Sequence, residues 1–167
     1  IDTTEVTHYA DAPAWKSAQN INDKAEILCW PLFGLGDYVF HASVHTAARM
    51  TATDSDNGGC PAESPSNKSL QIDRACLADG TTVLLDLNQA NYLNSNGIVT
   101  ALNFIGGYVL WGNETACFPA DTDVKNYFIP VSRMFGWVAN SLVLSYWSKL
   151  DKKMTRRLID SIVNSVN

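Results

Sequence analysis

Two histidines four residues apart, His41 and His45, are the first side chains in this sequence whose spacing suits chemistry. On a helix they would share a face and could reach one metal ion, as in zinc hydrolases. The glutamate that such a motif carries between its histidines is missing. The third histidine, His8, lies far off in a polar leader, so a packed or solvated pair is the plainer reading. Gly34-Leu-Gly36 follows an apolar run, as a phosphate-binding turn would. It lacks the third glycine of a dinucleotide site and the Lys-Ser/Thr of a P-loop, which leaves a turn. Asp54/Asp56 and Asp121/Asp123 have the spacing of weak calcium ligands and equally of turns closed by Asx bonds. No G-x-S-x-G elbow occurs, and no Ser or Cys carries the signals of a nucleophile. Trp111, Trp137 and Trp147, with Phe135 and Tyr146, read as core or subunit-contact residues before a sugar platform. The residues assign no catalytic, metal or cofactor-binding site. An α/β hydrolase-like domain without a recognisable motif stays as the rival reading.

Cys29, Cys60, Cys76 and Cys117 are widely spaced, with no C-x-x-C pair and no zinc-like partner, and read as half-buried thiols in a reducing compartment. The triplets at Asn67 and Asn113 match the glycosylation pattern, which matters only in a secretory context, and no signal peptide is visible. No apolar run approaches the length a bilayer demands, so no membrane insertion is expected. At net charge −5, pI near 5.0, the chain has no basic footprint for a phosphate backbone, so nucleic acid is not an expected partner. With 46% hydrophobic and 17% charged residues among 167, it can bury a real core, and its sparse charge suits a surface that something else covers.

The elements that would position these residues follow from periodicity and punctuation. Residues 1–24 are polar and aperiodic and are expected as a leader, mostly loop, from an adjoining segment. Glu26-Ile-Leu-Cys-Trp30 reads as a buried strand stopped by Pro31. Asp37 is placed to cap a helix over 38–53, with Val39, Phe40, Val44, Ala47, Ala48 and Met50 on its packed face. The Gly-, Pro- and Ser-rich stretch 54–67 is a long surface loop of the kind that makes contacts. A short strand at 70–72 and a helix over 83–93, closed near Gly97, come next. Apolar runs on either side of Gly106-Gly107 predict a β-hairpin. Phe128-Ile-Pro-Val131 reads as an edge strand, residues 132–149 as a helix packed through Phe135, Val138, Leu142, Tyr146 and Trp147. Thr155 starts a last helix striped by Leu158, Ile159, Ile162, Val163 and Val166. The expected class is mixed α+β: a mixed sheet with a β-hairpin, flanked by several helices. The first residue, Ile1, and an apolar stripe with no stop signal after it suggest a piece of a longer polypeptide.

Three motifs then stand in one order: Ser64-Pro-Ser-Asn-Lys-Ser-Leu70, Leu87-Asn-Gln-Ala-Asn-Tyr-Leu-Asn-Ser-Asn-Gly-Ile98 and Gly107-Tyr-Val-Leu-Trp-Gly-Asn-Glu-Thr115. This order and spacing resembles the tail sheath proteins of contractile phages and phage-like bacteriocins. Tyr127-Phe-Ile-Pro-Val-Ser-Arg-Met-Phe135 continues the likeness into a strand-to-helix junction, with Ser132 where the family has an arginine before Arg133. The resemblance covers residues 25–167 and implies the tube-proximal, conserved C-terminal half of a sheath subunit, cut before its C-terminal arm. It further implies hexameric rings of like subunits around a tail tube protein, tied by arms that add strands to a neighbour's sheet, contracting from a trigger at the baseplate. A location in a virion tail assembled in the bacterial cytoplasm follows, with no cofactor. On this reading Lys149, Lys152, Lys153, Arg156 and Arg157 are the candidate interaction residues, meeting an acidic patch on the tube or on a neighbouring subunit.

Overall fold

The computed structural model describes the backbone of residues 1–166 and the side chains through Asn164. Two compact units emerge, Ile1–Trp137 and Val138–Asn167, and the class is mixed α+β as expected.

The first unit is built on the three-stranded sheet β1-β5-β6, made of β1 (Leu28–Cys29), β5 (Ile98–Asn103) and β6 (Tyr108–Trp111). β1 runs parallel to β5, and β5 pairs antiparallel with β6 through the predicted hairpin. Residues 98–102 are all buried, as suits a central strand covered on both faces. Alternation sorts the side chains. Leu28, Trp30 and Ile98 pack on one side with Val6, Ala12, Leu93 and Ala116. Cys29, Val99, Ala101 and Leu110 pack on the other with Phe33, Ala42, Leu70, Ala75 and Ile129. A second sheet orders β3-β2-β4 from β2 (Leu32–Leu35), β3 (Tyr38–Phe40) and β4 (Arg74–Cys76), all antiparallel.

Several elements differ from the sequence reading. The leader holds more than a helical turn: α1 (Ala12–Ala18) follows a 3-10 turn, Ala12 and Val6 sit in the core, and Trp30 Nε1 donates to Val6 O at 2.9 Å. Residues 1–24 thus pack within the first unit. The helix expected at 38–53 begins later, as α2 (Ala42–Asp56), because Tyr38–Phe40 pairs with β2 across a turn at Gly36 and Asp37. Its buried face is Ala42, Thr46 and Thr53 with Met50 partly covered, while Val44 is exposed, so the period was right and the phase was not. Asp2, from the leader, supplies the cap, accepting from Ser43 N at 2.8 Å and Ser43 Oγ at 2.5 Å.

β4 lies in a stretch, 73–82, to which the sequence reading assigned no element. The strand expected at 70–72 reduces to a bridge between Ser69 and Val109 with Leu70 N bonded to Tyr108 O. α3 (Leu87–Asn94) starts four residues after Val83, where Asp86 and Gln89 form a capping box that outweighs the apolar run before it. The hairpin link is four residues, with Gly106 and Gly107 both at positive φ. A one-turn helix, α4 (Val124–Tyr127), precedes α5 (Ile129–Tyr146), whose start takes the place of the expected edge strand. Pro130 sits in the first turn, where a missing N–H costs nothing.

In the second unit, α5 runs out through Tyr146 into a 3-10 turn, and α6 (Arg156–Val166) follows, capped by Thr155 Oγ1 accepting from Leu158 N at 3.3 Å. Val166 of the predicted stripe lies outside the described side chains.

Candidate assembly surfaces

The residues that carry the family-like motifs meet in space at the end of β6. Ser64 Oγ donates to Asn113 Oδ1 at 2.7 Å, Gly112 N donates to Ser66 Oγ at 3.1 Å, and Asn67 N donates to Leu110 O at 2.6 Å. The long 57–69 loop therefore lies along β6 and satisfies its outer edge. Trp111 Nε1 reaches Asn91 Oδ1 on α3 at 3.0 Å. A Cβ at Gly112 would stand 2.9 Å from Asn94 Oδ1 and 3.0 Å from Val99 Cα, so only glycine lets β6 turn there. Arg133 places both guanidinium nitrogens on the two oxygens of Asp54, pinning the start of α5 to the end of α2. All of these groups are engaged with each other; the motifs are framework.

The histidines are engaged similarly. His41 Nδ1 lies 3.3 Å from Asp2 Oδ2, and His45 meets the rings of Phe33 and Phe40 edge-on at 5.8 and 5.5 Å, its pKa lowered by burial. His8 Nδ1 accepts from Ala10 N. The two helical histidines of the sequence reading thus reach neither a Ser nor a Cys. Among the described residues no group of three His, Cys, Asp or Glu could hold a metal ion.

What the molecule leaves open is apolar surface. β3 has β2 on one side and no backbone partner on the other among the described residues, and Leu35, Tyr38, Val39 and Phe40 are exposed along it. At the β5–β6 tip, Phe104 is 66% and Ile105 85% exposed. On the first-unit part of α5, Phe135 and Trp137 are exposed. In the second unit, Val138, Leu142, Val143 and Leu144 of the same helix and Trp147 of the turn after it are exposed, where the sequence predicted a packed face.

The five candidate cations of the sequence reading all fall in the second unit. Lys149 is half-buried, its ammonium 5.0 Å over the Tyr146 ring and 3.5 Å from Ser161 Oγ. Lys152, Lys153, Arg156 and Arg157 are exposed, and none of the four forms an ion pair among the described residues, with Asp151, Asp160 or any other carboxylate.

No protein-family model matches the chain. Among curated proteins, the tail sheath protein of Burkholderia phage BcepMu is 40% identical over 83 residues, which is 48% of this chain and 17% of that protein. Over that stretch this chain is similar to a tail sheath protein. The fold agrees. A chain of the contracted sheath complex of an extracellular contractile injection system, PVC, superposes over 99% of this chain and 45% of its own, with TM-score 0.75 at 16% identity. A chain of the anti-feeding prophage baseplate matches over 84% of this chain and 37% of its own, at TM-score 0.72 and 19% identity. The contracted helical sheath of the same prophage matches at TM-score 0.67. This sheath-like chain spans under half the length of each relative, and the sequence likeness noted from the motifs holds.

Proposed function

We propose that the chain is part of a structural subunit of a contractile tail sheath, which packs with other copies around a tail tube, is anchored through a baseplate and drives the tube through a target envelope by contracting. The observation that carries this reading is the joint one: sequence likeness to a phage tail sheath protein with a fold shared with two contractile-particle sheaths. The chemistry of the chain supports it, since its motif residues are spent on internal bonds and its open features are apolar faces, a free strand edge and unpaired cations. Residues 25–167 form the sheath-like body on this reading, and the hexameric ring is its assembly state, in a virion tail put together in the host cytoplasm. The outer edge of β3 receives a strand from a neighbouring subunit, main chain to main chain. The basic residues Lys149, Lys152, Lys153, Arg156 and Arg157 meet an acidic partner surface. No catalytic step is required of it, because two lattice packings of like subunits store and release the energy. Electron microscopy of the full-length protein tests this: polysheath tubes with rings stacked around a channel are expected, and a protein that stays dispersed under conditions where sheaths polymerise would sink the proposal.

A further inference from the structure

Charge is divided between the two units. The first carries seven Lys and Arg against fifteen Asp and Glu, and the second five against two, giving net charges of −8 and +3. Four of the second unit's cations, Lys152, Lys153, Arg156 and Arg157, have no ion-pair partner among the described residues. Leu150 stands just before them and Met154 among them, both exposed, so bare cations and bare apolar side chains share the stretch.

The first unit has a cavity of matching chemistry. It measures about 470 Å³ and is lined by Tyr9, Ala10, Asp86, Asn88, Gln89 and Tyr92. The two tyrosine rings meet edge to face with centroids 5.9 Å apart, and Tyr92 is exposed. One oxygen of Asp86 accepts from Gln89 N at the start of α3, and no ion pair engages its carboxylate or that of Asp11, next in the chain after Ala10. The positive end of α3 amounts to about half a charge, which the Asp86 carboxylate exceeds. Leu84, 78% exposed, and Leu87 flank Asp86 in sequence as apolar surface. Two tyrosine rings beside a carboxylate are what a guanidinium or ammonium on a methylene stem fits.

We propose that this cavity receives a cationic side chain from the basic stretch, residues 149–157, of a second copy of the chain. The proposal deepens the assembly reading above by naming one surface on which copies meet, and it rests on that reading for its partner. The donor stretch and the cavity are different surfaces, so a head-to-tail contact between them passes from copy to copy, as in a ring or helical array.

The test titrates a synthetic peptide of residues 149–160 into the whole chain at low salt, read by calorimetry. Saturable binding is expected below about 1 mM. Asp86→Asn removes the charge while keeping a residue that caps helices well, and should weaken binding about tenfold. Tyr92→Ala should weaken it by a similar factor, and about 0.5 M salt should abolish it. Melting curves confirm that both variants fold. Absence of saturation at 1 mM, or an affinity that Asp86→Asn leaves unchanged, overturns the proposal. Electron microscopy of the full-length protein separates the two ideas: tubes with no peptide binding discard the cavity and keep the sheath, and binding without tubes does the reverse.

Discussion

Lys16 shows how a single residue can be decided by packing that its neighbours in sequence do not reveal. It sits on α1 in the polar leader, yet it is buried, and its ammonium donates to Asn96 O at 2.5 Å and Phe118 O at 2.6 Å, joining α1 to the end of α3 and to the 115–119 turn. Gly97 is held beside it, where a Cβ would come within 2.5 Å of Phe118 O and 2.9 Å of the Lys16 nitrogen. Desolvation lowers the amine from 10.5 to about 8, with Cys117 working weakly in the opposite direction. Between those two values the unfolded chain holds a proton that the folded chain has released, so stability rises with pH across this window. A neutral amine still offers donors to both carbonyls. The wild-type chain should therefore gain on the order of 1 kcal/mol over Lys16→Met between pH 8 and 10.5, less than the full shift because Lys16 lines an open pocket with Pro13, Asn20 and Phe118. Denaturant melts of both proteins at the two ends of the window measure this; parallel pH trends would show that the ammonium is not desolvated.

At the scale of elements, Trp111 links β6 to α3 through its indole N–H and is half-buried against the hairpin. Trp111→Ala should lower the thermal midpoint, with a loss of about 1–3 kcal/mol, and an unchanged midpoint would show that hairpin and helix do not share one core. β3 offers a cleaner test of assembly. In its hairpin, Leu35 and Tyr38 close a two-residue turn as a bonded pair, so the N–H of Val39, opposite Gly34, points away from β2. Val39→Pro removes that outward donor and leaves the ladder to β2 intact. The variant should melt like wild type and yet fail to take up a neighbour's strand, which co-sedimentation of full-length sheath would read; normal polymerisation would rule out the β3 edge as the acceptor. The hairpin at Gly106-Gly107 and the strand before Pro31 were legible because glycine and proline act locally. β3 was not, since Tyr38-Val39-Phe40 continues an apolar pattern that suits a helix, and only pairing with Phe33, Gly34 and Leu35 decides otherwise. The leader was misread for a related reason: the buried face of its helix is Ala12 and Lys16, a small residue and a cation, which make no apolar stripe to read. The framework motifs were legible as motifs, but their convergence on Gly112 and Asn113 depends on a loop path that spacing does not encode.

At the scale of the whole molecule, the apolar stripe read from sequence on α5 is exposed at Phe135, Val138 and Leu142, which suits the proposed role in assembly. The basic stretch belongs to the same economy of surfaces. Arg156 and Arg157 open α6 at the end where cations oppose the macrodipole, at a few tenths of a kcal/mol to about one each, and no carboxylate of the described residues pairs with them. Folding therefore does not account for them. Reversing Lys152, Lys153, Arg156 and Arg157 to Glu in the full-length protein should leave the melting midpoint unchanged or slightly raised, because acidic residues suit a helix N-terminus. Assembly on tubes should weaken, most at low salt, where the cations of the wild type act over the longest range. Electron microscopy of sheath length against salt reads the effect. Wild-type assembly by the reversed protein at low salt would show the cluster to be a solvated face with no partner.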